Sequence, residues 1–126
     1  MAPDVPWATT NLTRLFPDGR RDTNFTCLLG DSLSQFVNAI TKADDGWLYI
    51  GGTFGSVNGA AHQSLARLDD RGRADQTFGP FQFTEPFATF PLGVNDLAPT
   101  ADGLVVAGAF RTVNGIQRSG IARLQL

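Results

Sequence analysis

Arg14, Arg67 and Arg123 each sit beside Leu or Ile in a short apolar run, and Asp22 and Asp75 come soon after two of them. A guanidinium and a carboxylate recurring together suit partly buried ion pairs, or hydrogen bonds to the backbone, that fix one repeated sheet against another. Such pairs specify geometry more reliably than they add stability. A ligand-binding role is the other chemistry open to these charges. The second concentration of unusual side chains is Phe78-Gly-Pro-Phe-Gln-Phe-Thr-Glu-Pro-Phe-Ala-Thr-Phe-Pro91, which holds five of the ten phenylalanines. Phe81, Phe83, Phe87 and Phe90 are candidates for a contact surface, since rigid aromatics offer large apolar area at low entropic cost. The same residues would equally fill a core at a crossover, or form a platform for a sugar.

Hydrolytic chemistry finds little material. His62 is the single histidine, placed in a polar loop where a surface imidazole is expected, and no acid and nucleophile pattern accompanies it. A glycosidase needs two opposed carboxylates, yet Glu85 is the only glutamate and nearly all aspartates fall at turn positions. The single Cys27 excludes an intramolecular disulfide and is expected to be a small buried hydrophobe. Asp69-Asp-Arg-Gly-Arg-Ala-Asp75 faintly evokes a calcium loop, but it lacks alternating carboxylates and a terminal Glu, and a hairpin accounts for it. Gly51-Gly52 precedes no helix and so cradles no phosphate. Trp7 and Trp47 lack the periodic partners that a sugar site in every unit would require. Catalytic, cofactor-binding and metal-binding residues are therefore expected to be none, and the chain is not expected to be an enzyme.

Composition narrows the classes further. Ten Lys and Arg against twelve Asp and Glu give a formal charge of −2, with no electrostatic footprint for nucleic acid. No apolar stretch approaches the ~20 residues of a membrane helix, and the opening Met-Ala-Pro-Asp-Val-Pro-Trp carries no basic or apolar leader. Neither nucleic acid nor membrane is an expected partner. Two sequons, Asn11-Leu-Thr and Asn24-Phe-Thr, are read as coincidental. At 126 residues the chain is long enough for one modest core.

What must position these residues is a repeat. Val37 to Leu68 aligns with Val94 to Leu124, with one residue of slack at Trp47, giving 13 identities over 31 positions. Leu12 to Phe25 matches Leu65 to Phe78 at a constant offset of 53. The unit is thus about 55 residues long, and the chain opens on the second half of one. Alternating runs at Val37 to Lys42 and Val94 to Leu97 predict strands, and Asp45-Gly46 and Asp102-Gly103 predict the turns after them. Trp47 to Phe54 and Leu104 to Phe110 are near-continuous apolar runs, as for strands buried on both faces. Asn58-Gly59 and Asn114-Gly115 punctuate the next connection, Leu65 to Leu68 and Ile121 to Leu124 are third strands, and a fourth ends at Phe25 or Phe78. No helical stripe runs for ten residues.

Four short antiparallel strands per unit, at this period, is the pattern of β-propeller blades. The chain also resembles the delta-sixty repeat β-propeller proteins, whose repeat reads approximately Val-x-Ala-Leu-x-x-x-x-Asp-Gly, a strand ending in Gly-Gly-x-Phe, a loop with Asn-Gly, then Ile-Ala-Arg-Leu and Asp-Gly-x-x-Asp-x-x-Phe. Gly51-Gly52-Thr53-Phe54, Gly108-Ala109-Phe110, Arg67 and Arg123 carry that likeness, which covers about Leu12 to Leu124. The resemblance implies a propeller-type architecture in surface, secreted or virion-type proteins, with no catalytic residues to carry over.

The expected organisation is an arm at 1–10, a partial repeat at 11–26, a full repeat at 27–78 and a second repeat lacking its final strand at 79–126. Propellers close with four to eight blades, so about two blades leave apolar flanks that must be covered. The expected fold is all-β, with propeller-type blades of four antiparallel strands closed by oligomerisation. A trimer giving six blades is the simplest ring. Other copies of the chain or neighbouring proteins of an assembly are the expected partners, with a glycan as a further one. The functional expectation is a non-catalytic structural or adhesion component of a phage virion or cell-surface structure; a lectin-like ring with sites between blades is the alternative. Arg20 to Phe25 is a spare fourth strand for a neighbouring subunit, which leaves Leu12 to Leu15 as one strand too many.

Overall fold

The computed structural model describes residues 12–30, 35–85 and 92–125. Alternation of exposed and half-buried side chains sets β1 (Phe36–Lys42), and the Asp45-Gly46 turn reverses the chain. Gly46 takes a φ of 94°, and Asp45 Oδ1 accepts the Trp47 N–H at 3.1 Å. The chain continues into β2 (Leu48–Thr53), a small hairpin of β3 (Ser56–Val57) and β4 (Ala60–Ala61), and β5 (Leu65–Leu68). β6 (Phe83–Thr84) follows, and then the pattern recurs as β7 (Gly93–Pro99), β8 (Gly103–Ala109), the hairpin β9 (Thr112–Val113) and β10 (Ile116–Gln117), and β11 (Ile121–Gln125). Among the described residues three three-stranded antiparallel sheets result, ordered β1-β2-β5, β11-β8-β7 and the short β10-β9-β6, with β3-β4 a separate hairpin. No helix occurs among the described residues. The fold is all-β and built of propeller-type blades.

The repeat extends to irregularities. β1 carries a bulge between Val37 and Ala39 and β7 one between Val94 and Asp96, so Asn38 and Asn95 are the extra residues at equivalent places. Beside the bulges, Gly52 and Gly108 face the neighbouring strand so closely that an added Cβ would overlap the carbonyl oxygens of Phe36 and Gly93.

The fourth strand of a blade is contracted to a single antiparallel bridge, Leu68 with Ala74 in the first blade and Leu15 with Arg21 in the partial unit. Its brevity has a local cause. One residue beyond each bridge Asp22 and Asp75 turn the chain, their carboxylates accepting the N–H groups of Asn24 at 3.0 Å and Thr77 at 2.9 Å. A side chain that mimics a turn in this way competes with the ladder and ends it.

Adjacent residues of the first blade point to opposite cores. Tyr49 and Leu65 join Phe78, Phe83, Val94, Leu104, Val106 and Phe110 on the side where β7 packs across β1 and β2. Ile50, Ala66 and Leu68 join Phe25, Cys27 and Leu29 on the other. This sheet is therefore buried on both faces, as the apolar run of β2 requires. β8 carries a similar run, but among the described residues only one of its faces is fully covered: Leu104 and Val106 are buried, whereas Val105 and Ala107 are half-buried.

Candidate functional site

Each recurring Arg–Asp pair closes within its own unit, across a spacing of eight residues. Arg14 Nε donates to Asp22 Oδ2 at 2.9 Å, and Arg67 Nε to Asp75 Oδ2 at 3.0 Å. The guanidinium of Arg67 also lies 4.6 Å from the Trp47 ring centroid and 5.0 Å from that of Phe78, while Arg14 lies 4.9 Å from that of Phe25. The pair thus locks the third strand to the turn that follows it and roofs the aromatic at the turn's end. Arg14 also reaches the next unit, where its Nη1 donates to the Asp70 carbonyl at 2.7 Å. Arg123 is placed otherwise: it is exposed and pairs with Asp102 on the rim of its own blade, Nη2 to Oδ1 2.6 Å.

Hydrogen bonds from the Thr77 hydroxyl and N–H, with the Arg67 guanidinium beside them, outweigh burial and bring the Asp75 carboxyl down to about 2. A carboxyl depressed on folding stabilises the fold above its unfolded value near 3.8, and that contribution fades as pH falls towards 2. Asp75→Asn is accordingly expected to lower stability by roughly 2 kcal/mol at pH 7, and urea titrations of the two proteins should converge between pH 4 and pH 2.

Contacts within and between units use residues that the repeat marks but whose role the sequence does not reveal. Asn58 and Asn114 both adopt a φ of 50° at the tips of the small hairpins. Asn58 exchanges two hydrogen bonds with Leu28, its Oδ1 accepting from Leu28 N at 2.8 Å and its N–H donating to Leu28 O at 2.7 Å. Asn114 repeats both with Gln82, each at 2.8 Å. The segment at the head of each repeat is thereby stitched to the hairpin that follows it, through the Leu29–Val57 bridge and through β6 paired with β9. Asn38, at the first bulge, donates across the interface to Val94 O at 3.1 Å. The only visible signal was that Val-Asn and Asn-Gly recur in both copies.

Phe83 is fully buried in β6, its ring centroid 5.2 Å from that of Phe110. Phe81 is half-buried and meets Phe78 edge-on at 5.0 Å. Both lie where the first blade meets the second. Phe87 and Phe90, with Trp7 and the N-terminal arm, lie outside the described residues.

His62 is a correction to the surface placement expected from its polar loop. It is 2% exposed, and neither ring nitrogen has a hydrogen-bond partner among the described residues. The following Gln63 takes the N–H of Phe83 at 3.2 Å, which draws the loop under the connector. Its repeat equivalent, Arg118, is exposed. Cys27 is fully buried, and burial pushes its thiol up to about 11. In the Asp69–Asp75 loop, the Asp69 carboxylate accepts the N–H groups of Arg71 at 2.9 Å and Arg73 at 3.0 Å, capping the hairpin.

Two depressions flank the first blade. An apolar groove of about 280 Å³ lies between the partial unit and β1, lined by Leu12, Arg14, Phe25, Ile40 and Leu48 among others. A polar cleft of about 640 Å³ separates the Lys42–Asp45 and Thr100–Gly103 turns, with Tyr49 and Arg67 at its floor.

Comparison with curated proteins and with solved structures finds no match. A family model does match, over residues 43–78 and 100–126, half of the chain. Those spans take in both Asp-Gly turns, both Asn-Gly hairpins and the Arg67 and Arg123 strands, the parts in which the two blades are most alike. The chain belongs to the beta-propeller family described as a domain of unknown function (DUF5122).

Proposed function

We propose that the chain is a non-catalytic architectural module, of the delta-sixty repeat type, whose blades complete a propeller together with further blades of the same kind. Copies of the chain supply them, and the assembly serves as a structural or adhesion component of a virion or cell surface. The observation that carries this reading is an asymmetry between equivalent positions. Leu65 is 1% exposed beneath the second blade, while Ile121, its counterpart on the outer face of that blade, is 60% exposed. Apolar area of this kind gains roughly 25 cal/mol per Å² when covered, and repeat units bury such faces against neighbours.

The titratable groups support the absence of catalysis. His62 is sealed in, the Cys27 thiol is held protonated by burial, and Glu85 is paired with Arg111 at 3.4 Å.

Light scattering or sedimentation equilibrium tests the reading. A mass near three times 13.5 kDa is expected, and Ile121→Lys should weaken association by tenfold or more. A stable monomer at high concentration overturns it. The polar cleft between the Lys42–Asp45 and Thr100–Gly103 turns favours a second reading, a lectin-like ring with a site between blades. Saturable binding on a glycan array separates the two.

A further inference from the structure

We infer that the apolar groove beside β1 is the seat of a second copy's second blade, and that the segment around Arg21 of the first copy then takes the short fourth-strand place of that blade. The inference rests on the assembly reading above and names the surfaces that meet.

The interface between the two blades of one chain provides the template. There, Leu97 and Leu104 of the second blade are covered by the first blade, with Ala39, Trp47 and Tyr49 in the same core. Ile40 and Leu48 are the first blade's equivalents of Leu97 and Leu104. On their side of the sheet the partial unit covers the half near Ile50, Ala66 and Leu68, with half-buried Leu48 at its margin. The other half is the groove, and Ile40 on its wall is 52% exposed. What is missing over Ile40 and Leu48 is the face that a second strand pair would bring. The outer face of β8 and β11, with Val105 and Ile121, is the copy of that face and lacks a cover among the described residues.

Edges agree with faces. In the first blade β5 is bridged by Ala74, and Arg67 of β5 holds Asp75. In the second blade nothing among the described residues pairs with the outer edge of β11, and Arg123 turns to Asp102 instead. Arg21 and Asp22 are the repeat equivalents of Ala74 and Asp75. Seating a second copy places its β11 where Leu12–Leu15 lies, so the two compete for the same strand position. β11 is joined to β8 along five residues, from Ile121 to Gln125. Leu12–Leu15 has one ladder bridge, Leu15 to Arg21, beside the Arg14 bonds to Asp22 and Asp70 and the contact of Leu12 with the core, and Leu15 is 58% exposed. Leu12–Leu15 is the strand that yields, and Asp22 passes from Arg14 of its own chain to Arg123 of the second. Each copy then contributes two complete blades, which resolves the surplus strand.

Cross-strand cysteines test this. Phe16 N donates to Arg20 O and Asp22 N to Arg14 O, so Leu15 and Arg21 form a non-hydrogen-bonded pair, the spacing that accepts a disulfide. The Arg21→Cys, Leu124→Cys double variant should oxidise to covalent dimers and trimers on a non-reducing gel, with buried Cys27 a poor competitor. Leu15→Cys with Arg21→Cys should leave most thiols free in the assembled protein. Charge reversal supplies a second measurement: Asp22→Arg or Arg123→Asp alone should weaken association at least tenfold, and the pair together should recover most of it. If Leu15→Cys with Arg21→Cys closes fully within one chain while the assembled mass persists, this interface is wrong and the assembly reading stands. A monomeric parent protein removes both.

Discussion

Gly52→Ala is expected to cost about 3 kcal/mol or more, at the upper end of overpacking effects, a large share of the stability of a domain this size. The added methyl would overlap the Phe36 carbonyl oxygen and press on the Val37 Cα, both backbone atoms of the adjoining strand. A flexible side chain could swing aside, but a strand already bulged at Val37 and Ala39 has no such freedom. Gly108 stands in the same relation to Gly93 and Val94, so Gly108→Ala should behave alike. Gly55→Ala is the control, because a Cβ there meets nothing within 4 Å. Urea unfolding followed by near-ultraviolet circular dichroism measures all three. A parental midpoint for Gly52→Ala would mean that the close strand approach is absent in solution.

Phe83→Ala should lose about 3–5 kcal/mol, the usual range for emptying a buried aromatic position. Its ring is packed against Phe110, and its backbone pairs with Val113, so the substitution opens a void where the segment at the head of the second repeat meets its hairpin. Phe81→Ala, half-buried two residues earlier, should lose far less. The contrast is measurable by the same unfolding experiment. Equal losses would contradict the burial pattern.

Much of the scaffold was legible in the residues. Asp-Gly and Asn-Gly pairs place turns because their backbone conformations are restrictive, and the apolar runs between them place β2 and β8 to within a residue or two. The depth of burial of β8 was not legible, since a strand sequence does not record how many of its faces are covered. The fourth strand was overextended for a related reason: Asp22 and Asp75 read as ion-pair partners, which they are, but the same carboxylates also fold the chain away from the ladder. Phe83 stood out as an aromatic without disclosing its destination, because its partner Val113 lies 30 residues further on and no local periodicity encodes that pairing. The polar neighbours of His62 read as a surface loop, whereas one of them, Gln63, ties that loop to the Phe83 N–H.

The weaving of Leu28 into the Asn58 hairpin, and of Gln82 into that of Asn114, has a consequence for how such a molecule grows and shrinks. Both halves of each splice lie within one repeat, 27–78 or 79–126, so a break between the repeats spares them, whereas a break between Leu28 and Asn58, or between Gln82 and Asn114, parts one. A window one period long that begins at such a break carries both halves. Duplication or loss of genetic material in steps of that length, taken at a break between repeats, leaves the weave intact, which lets the number of blades drift.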